Sequence, residues 1–124
     1  MEIIPFLKET PPFVSINKDG GAYNGYVLIP KELVKDINLE KDIPQPHGNV
    51  TLVIKDAKRI KKFVEKSQTW WIPYNLLEHP RYSKYICIGF DTLHFGDTWN
   101  YWTFERVSRH TLEWKRELEK HFNI

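Results

Sequence analysis

Two hydrophobic periods organise this chain. Phe13-Val14-Ser15-Ile16 alternates as a strand with one buried face does, and Tyr23 to Ile29 follows the same habit after the turn formers Asp19-Gly20-Gly21. These runs predict a β-hairpin. Gly25 removes a side chain from inside the second strand, which predicts a bulge or a close approach by another group. Pro30 ends the strand, and Lys31 to Lys35 predicts one helical turn. Val50-Thr51-Leu52-Val53-Ile54 is nearly all apolar and β-branched, the composition of a central strand buried on both faces. Tyr85 to Asp91 predicts a second central strand, with Ile86, Ile88 and Phe90 on one face and Tyr85, Cys87, Gly89 and Asp91 on the other.

The period lengthens twice. Ile60, Phe63 and Val64 recur at helical spacing among Lys58, Lys61, Lys62 and Lys66, so a short amphipathic helix follows Asp56, its lysines read as a solvated face. Phe104, Val107, Thr111, Trp114, Leu118 and Phe122 recur at steps of three and four. Thr103 is a good N-cap for that last helix, Glu105 lies in its first turn, and Lys120 and His121 suit its negative end. The pattern predicts an α+β fold: a small mixed or antiparallel sheet covered by one long C-terminal helix and a shorter basic one. Trp70-Trp71-Ile72-Pro73-Tyr74 reads as strand or buried loop; in an extended segment its two tryptophans point to opposite faces, so one of Trp70 and Trp71 is a candidate wall for a stacked ligand, the other a packing residue.

Of the 124 residues, 41% are hydrophobic and 15% aromatic, enough for one self-supporting core, so a single domain over 1–124 is expected. A net charge of +2 is too small for a grip on duplex nucleic acid. Cys87 is the single cysteine, inside an apolar run, and reads as a small buried hydrophobe. No apolar run approaches the ~20 residues that span a bilayer, and Met1-Glu2-Ile3-Ile4-Pro5 lacks the basic start of a signal peptide; a cytoplasmic protein without membrane contact is expected.

Candidate chemistry gathers in two loops. Asp42-Ile43-Pro44-Gln45-Pro46 cannot pair along its length, so it predicts an extended connection that delivers His47-Gly48. Asp91, His94 and Asp97 follow the second central strand at intervals of three, and Gly96 permits a sharp turn. A carboxylate beside an imidazole fixes its tautomer and raises its basicity, and His47 could add a second acid, base or donor. The structural alternative is that Asp91 and Asp97 close Asx turns. Two imidazoles and two carboxylates would also suit zinc or manganese, but ligands from separate loops lack the paired spacing of a metal motif, so no cofactor is assigned and a divalent metal remains the minor alternative. His79 and His110 read as surface or packing residues. There is no Gly-rich phosphate loop, nucleophile elbow or His-Glu-x-x-His.

Asn24-Gly25-Tyr26-Val27 with Pro30, His47-Gly48 with Thr51, and Gly89-Phe90-Asp91-Thr92-Leu93-His94-Phe95-Gly96-Asp97 together resemble a group of small proteins encoded by bacteriophages and prophages. That group carries a Gly-Tyr-Val run, a His-Gly run ending in Thr, and Gly-Phe-Asp-x-x-His-x-Gly-Asp before a last helix. Asn24 stands where a cysteine is common in it, and Asn49 where a second glycine is usual. The resemblance implies a phage origin, hence the cytoplasm of an infected bacterium, and a site at His47, Asp91, His94 and Asp97.

Three functions follow. The first is a counter-defence protein that sequesters a small nucleotide signal of host immunity, the base stacked on Tyr26, Trp70 or Trp71 while imidazoles and lysines meet the phosphates. The second is a phosphodiesterase-type hydrolase of such a signal, with His47 and His94 as base and acid; the chain offers it no identifiable nucleophile or oxyanion site. The third is a protein inhibitor that blocks a host enzyme through an aromatic patch. Composition does not separate a monomer from a homo-oligomer.

Overall fold

The computed structural model describes residues 13–16, 21–66, 83–94 and 96–123. Among these residues four strands form an antiparallel sheet in the order β1-β2-β4-β3: β1 (Phe13–Ile16), β2 (Tyr23–Pro30), β3 (Leu52–Ile54) and β4 (Tyr85–Phe90). A 3-10 turn (Lys31–Val34) follows β2, a short helix α1 (Ala57–Glu65) follows β3, and a long helix α2 (Phe104–His121) follows β4. This is an α+β fold with the predicted parts. The hairpin is present as the β1–β2 pair, with Val14 opposite Gly25 and Ser15 opposite Asn24.

Successive side chains on a strand alternate faces, so each central strand feeds two cores. Val27, Ile29, Ile86, Ile88 and Phe90 join Val107, Trp114 and Leu118 on the α2 side. Tyr26, Leu28, Tyr85, Cys87 and Ile54 join Ile60 on the α1 side. The faces read from Tyr85 to Asp91 are thus the observed ones, and every residue of β4 is buried. Burial pushes the Cys87 thiol far above its ordinary pKa, which leaves it an inert packing group.

The run Val50 to Ile54 is not a central strand. Among the described residues only Leu52–Ile54 of this run is extended in the sheet and its one partner is β4, and Val53 is 38% exposed. The centre belongs to β2 and β4, which pair over six residues from Gly25↔Phe90 to Pro30↔Tyr85. The run looks central because its ends are buried in different places, Val50 in the α2-side core and Ile54 in the α1-side core. Trp70 and Trp71, with His79, lie outside the described residues, so the question of which tryptophan faces a ligand is not posed there.

Both helices begin on side-chain caps. Thr103 Oγ1 accepts from Arg106 N at 3.2 Å, and Asp56 Oδ2 accepts from Arg59 N at 3.2 Å. Trp114, 2% exposed, donates from Nε1 to Pro44 O at 2.8 Å and so ties the extended connection 42–46 to α2. Two glycines let layers meet closely. A Cβ at Gly25 would stand 2.1 Å from Thr111 Oγ1 of α2, and a Cβ at Gly89 would stand 2.2 Å from the Tyr26 ring on the other face. Gly25 therefore marks a close approach, one of its two predicted meanings. Among the described residues no helix is long and apolar enough to cross a membrane.

Trp114→Ala removes the largest fully buried side chain among the described residues together with the tie to Pro44, and should cost about 3–5 kcal/mol in urea unfolding. Gly25→Ala should cost about 1–3 kcal/mol by overpacking between β2 and α2. A Gly25→Ala protein as stable as the original would mean that α2 does not sit on β2 at this distance.

Candidate ligand-binding site

The loop after β4 closes on itself through its two acids. Asp91 Oδ1 accepts from Leu93 N at 3.0 Å, Asp97 Oδ2 accepts from His94 N at 2.8 Å, and Asp97 N donates back to His94 O at 2.9 Å. Both acids thus close turns, as the structural reading of them required. The opposing loop turns at Pro46, whose carbonyl accepts from Asn49 N at 3.0 Å. Gly48 and Asn49 both take left-handed backbone, with φ of 65° and 67°. Asn tolerates that region better than other residues with a Cβ, so Asn49 can stand there at low cost. Gly48 has a further reason: its Cβ would lie 2.2 Å from His94 Nε2.

The two loops are pinned together at Asp97, whose side chain is only 8% exposed. Its Oδ1 accepts from His47 Nε2 at 2.9 Å and from Trp102 Nε1 at 3.1 Å, while Oδ2 holds His94 N. A carboxylate only accepts, so the His47 proton sits on Nε2. The His47 ring leans on the Trp102 indole at 4.4 Å between centroids and meets His94 edge-on at 5.6 Å. His47 and His94 therefore share one place, as the sequence predicts. His110, read from sequence as a surface or packing residue, belongs to it too: its Nε2 accepts from His47 N at 2.9 Å, which puts its own proton on Nδ1. Burial holds the His110 pKa below its ordinary value, and the nearby His47 lowers it further against the opposing pull of Glu113 and Glu117.

His94 Nε2 approaches Asp91 Oδ1 to 3.2 Å but is out of line for a hydrogen bond, and this buried nitrogen has no other partner. The pair is a close approach without a hydrogen bond, with both side chains about one third exposed. Among the described residues no three His, Cys, Asp or Glu side chains converge as metal ligands do.

On the other face of the sheet a cleft of about 520 Å³ opens between the strands and α1. Tyr26, on its floor, packs edge-on against Phe63 of α1 at 4.9 Å. Ser15, Asn24 and Asp91 form a polar row at one end; Ser15 pairs with Asn24, and Asp91 follows Phe90, which faces Gly25, the next residue of β2. The Ser15 and Asn24 side chains bond the Tyr26 phenol, whose pKa burial nevertheless raises. Asn24 is 6% exposed, and its Oδ1 has no partner. Arg59, Lys62 and Lys66 line the helical wall, their charged ends without an acidic partner among the described residues.

The candidate residues thus divide between two loci. His47, His94 and Asp97 gather with Trp102 and His110 and do not line the cleft; Tyr26 lines the cleft; Asp91 touches both. Sequence reading took the lysines of α1 as solvated, and Lys58, Lys61, Lys62 and Lys66 are all exposed. The signal missed was the spacing of Arg59, Lys62, Phe63 and Lys66, three, four and seven residues along, which sets one cationic stripe beside the aromatic ring. No protein-family model, curated protein sequence or solved structure matches this chain.

Asp97→Ala strands three donors at once and should cost about 2–4 kcal/mol in urea unfolding. A loss below about 0.5 kcal/mol would mean that the two loops hold each other by other means. His110 predicts a pH dependence. Its folded pKa lies below the 6.5 of a free imidazole, so below pH 6.5 the unfolded chain binds the proton that the folded one resists. The His110 contribution is complete above pH 6.5 and is lost as pH falls toward the folded value. The melting temperature should drop between pH 7 and pH 5, and His110→Gln, an acceptor that does not titrate, should flatten that drop.

Proposed function

We propose that this protein binds a small phosphorylated, aromatic molecule of the nucleotide class in the cleft between the sheet and α1, and holds it without transforming it. The observation that carries this reading is the cleft itself, where the half-buried ring of Phe63, packed on the buried Tyr26, lies beside Arg59, Lys62 and Lys66, cations with no acidic partner among the described residues. Base–aromatic contact is worth ~1–3 kcal/mol per base, and lysine and arginine meet phosphate by charge-assisted hydrogen bonds. A volume of about 520 Å³ falls inside the ~300–1,000 Å³ typical of small-ligand pockets. In a phage protein, which the resemblance implies, uptake of this kind would remove a nucleotide signal of host defence from its receptor.

Sequestration is favoured over hydrolysis by the division between the loci. The His47–Asp97 pair has the composition of an oriented general base, but neither residue lines the cleft. A separate observation favours the inhibitor reading: Leu93, Trp99 and Tyr101 are 48%, 64% and 54% exposed along the loop that leads into α2. Aromatic residues of this kind often anchor protein interfaces.

Incubation with cyclic di- or oligonucleotides or nicotinamide-derived signals should raise the melting temperature for at least one of them. Stabilisation reaches about 2.7 kcal/mol at a hundredfold excess of free ligand over Kd. Boiling should then release the molecule intact. Cleaved nucleotide at substoichiometric protein would establish the hydrolase, and no shift with any nucleotide would move the function to the exposed aromatic surface.

A further inference from the structure

Trp99, Tyr101 and Trp102 stand together just before α2, and the turn that carries them divides their fates. Thr98 O accepts from Trp102 N at 2.9 Å, and Thr98 Oγ1 accepts from Tyr101 N at 3.2 Å, so residues 98–102 form one closed turn. Trp102 points inward: it is 8% exposed, donates from Nε1 to Asp97 Oδ1 and packs on His47. Trp99 and Tyr101 stay outside, at 64% and 54% exposure. The contacts that bury one ring therefore hold two others in water.

Neither outward ring serves the core. Among the described residues no ring packs on Trp99 and no acceptor takes its Nε1–H. Tyr101 meets Trp102 edge-on at 5.2 Å, and the guanidinium carbon of Arg106 lies over the Tyr101 ring, 4.2 Å from its centre. This contact fixes the Arg106 side chain, yet its N–H donors have no acceptor among the described residues. A guanidinium over a ring keeps its in-plane donors, and their fork matches a carboxylate. Arg109, one turn along α2, is exposed and also makes no ion pair among the described residues. Trp, Tyr and Arg dominate the energy of protein interfaces, and side chains already held in place lose little freedom when they are covered.

The chemistry of the patch selects its partner. Its rings suit an apolar side chain and its free guanidinium a carboxylate. A run of phosphates fits less well, because Glu105 and Glu113 are exposed on the same helix as Arg106 and Arg109 and would repel successive charges. One acidic side chain can meet Arg106 alone.

We propose that Trp99, Tyr101 and Arg106 form a docking surface for a partner protein, which lays an apolar side chain on the rings and an acidic side chain on Arg106. None of the three lines the cleft, so this surface goes beyond nucleotide binding and does not depend on it.

Selection of displayed random peptides on the full chain tests the proposal. Enriched sequences should combine acidic with apolar side chains, and the same peptides made synthetically should bind the full chain in calorimetry. Trp99→Ala and Arg106→Ala should each weaken them about tenfold or more, with the urea midpoint of both variants unchanged because the removed side chains are exposed. Arg106→Glu should abolish binding of the acidic peptides. No enrichment, enriched peptides without acidic residues, or peptides that bind both alanine variants as well as the original chain would overturn the proposal. Oligo-thymidylate that binds the original chain and loses affinity in the same variants would overturn it in favour of single-stranded nucleic acid. Thermal shifts with nucleotides report the cleft separately, so either reading can fail while the other stands.

Discussion

The carboxylate of Asp97 is the interaction on which the loop architecture depends. Three donors from three places, the His47 imidazole, the Trp102 indole and the His94 backbone amide, converge on two oxygens that water scarcely reaches. Each donor alone would be a modest contribution. Together they connect the loop between the 3-10 turn and β3, the loop after β4 and the approach to α2. His110 extends the arrangement into α2 by accepting the His47 amide, so the backbone at His47 is held from one side and its ring from the other.

Beneath these loops the sheet is built for covering on two sides. β2 and β4 bury apolar side chains on both faces, and each face has its own helix. The amphipathic α1 is short and α2 is twice its length, and among the described residues the cleft lies on the α1 face. Gly25 and Gly89 sit next to the polar row and serve opposite faces, one admitting Thr111 of α2 and the other the ring of Tyr26. Asp91, the first residue beyond β4, belongs to the α1 face by alternation and to the loop by its Asx turn. The two loci are therefore linked through a single side chain.

What could be read from the sequence was whatever is written locally. The 3.6-residue period and the Thr103 cap set α2, alternation set the two faces of β4, and the prolines of 42–46 set an extended chain leading to His47. The nearness of His47 and His94 followed from their positions beside two runs expected to neighbour each other, and β3 does pair with β4. Positions that depend on distant parts of the chain were not legible. Val50 to Ile54 has the composition of a central strand, yet its place at the sheet edge is fixed by which strand takes the other side of β4. His110 carries no local mark of its role, because its partner is a backbone amide 63 residues earlier. Lys62 and Lys66 are solvated as their pattern predicts, and only the fold shows that they also border the cleft.

The adjacent left-handed residues Gly48 and Asn49 set different tolerances at neighbouring positions. At Asn49 the constraint is torsional only, so the permitted alphabet is the small set that enters this region at low cost: glycine, asparagine and aspartate. At Gly48 a second constraint is superposed, because the imidazole of His94 occupies the space where any side chain would begin. Drift at 49 can proceed without consulting the rest of the molecule, whereas a change at 48 must be accompanied by one at 94. In any set of diverged descendants of this chain, position 49 would wander within its short alphabet, and 48 and 94 would be inherited as a pair.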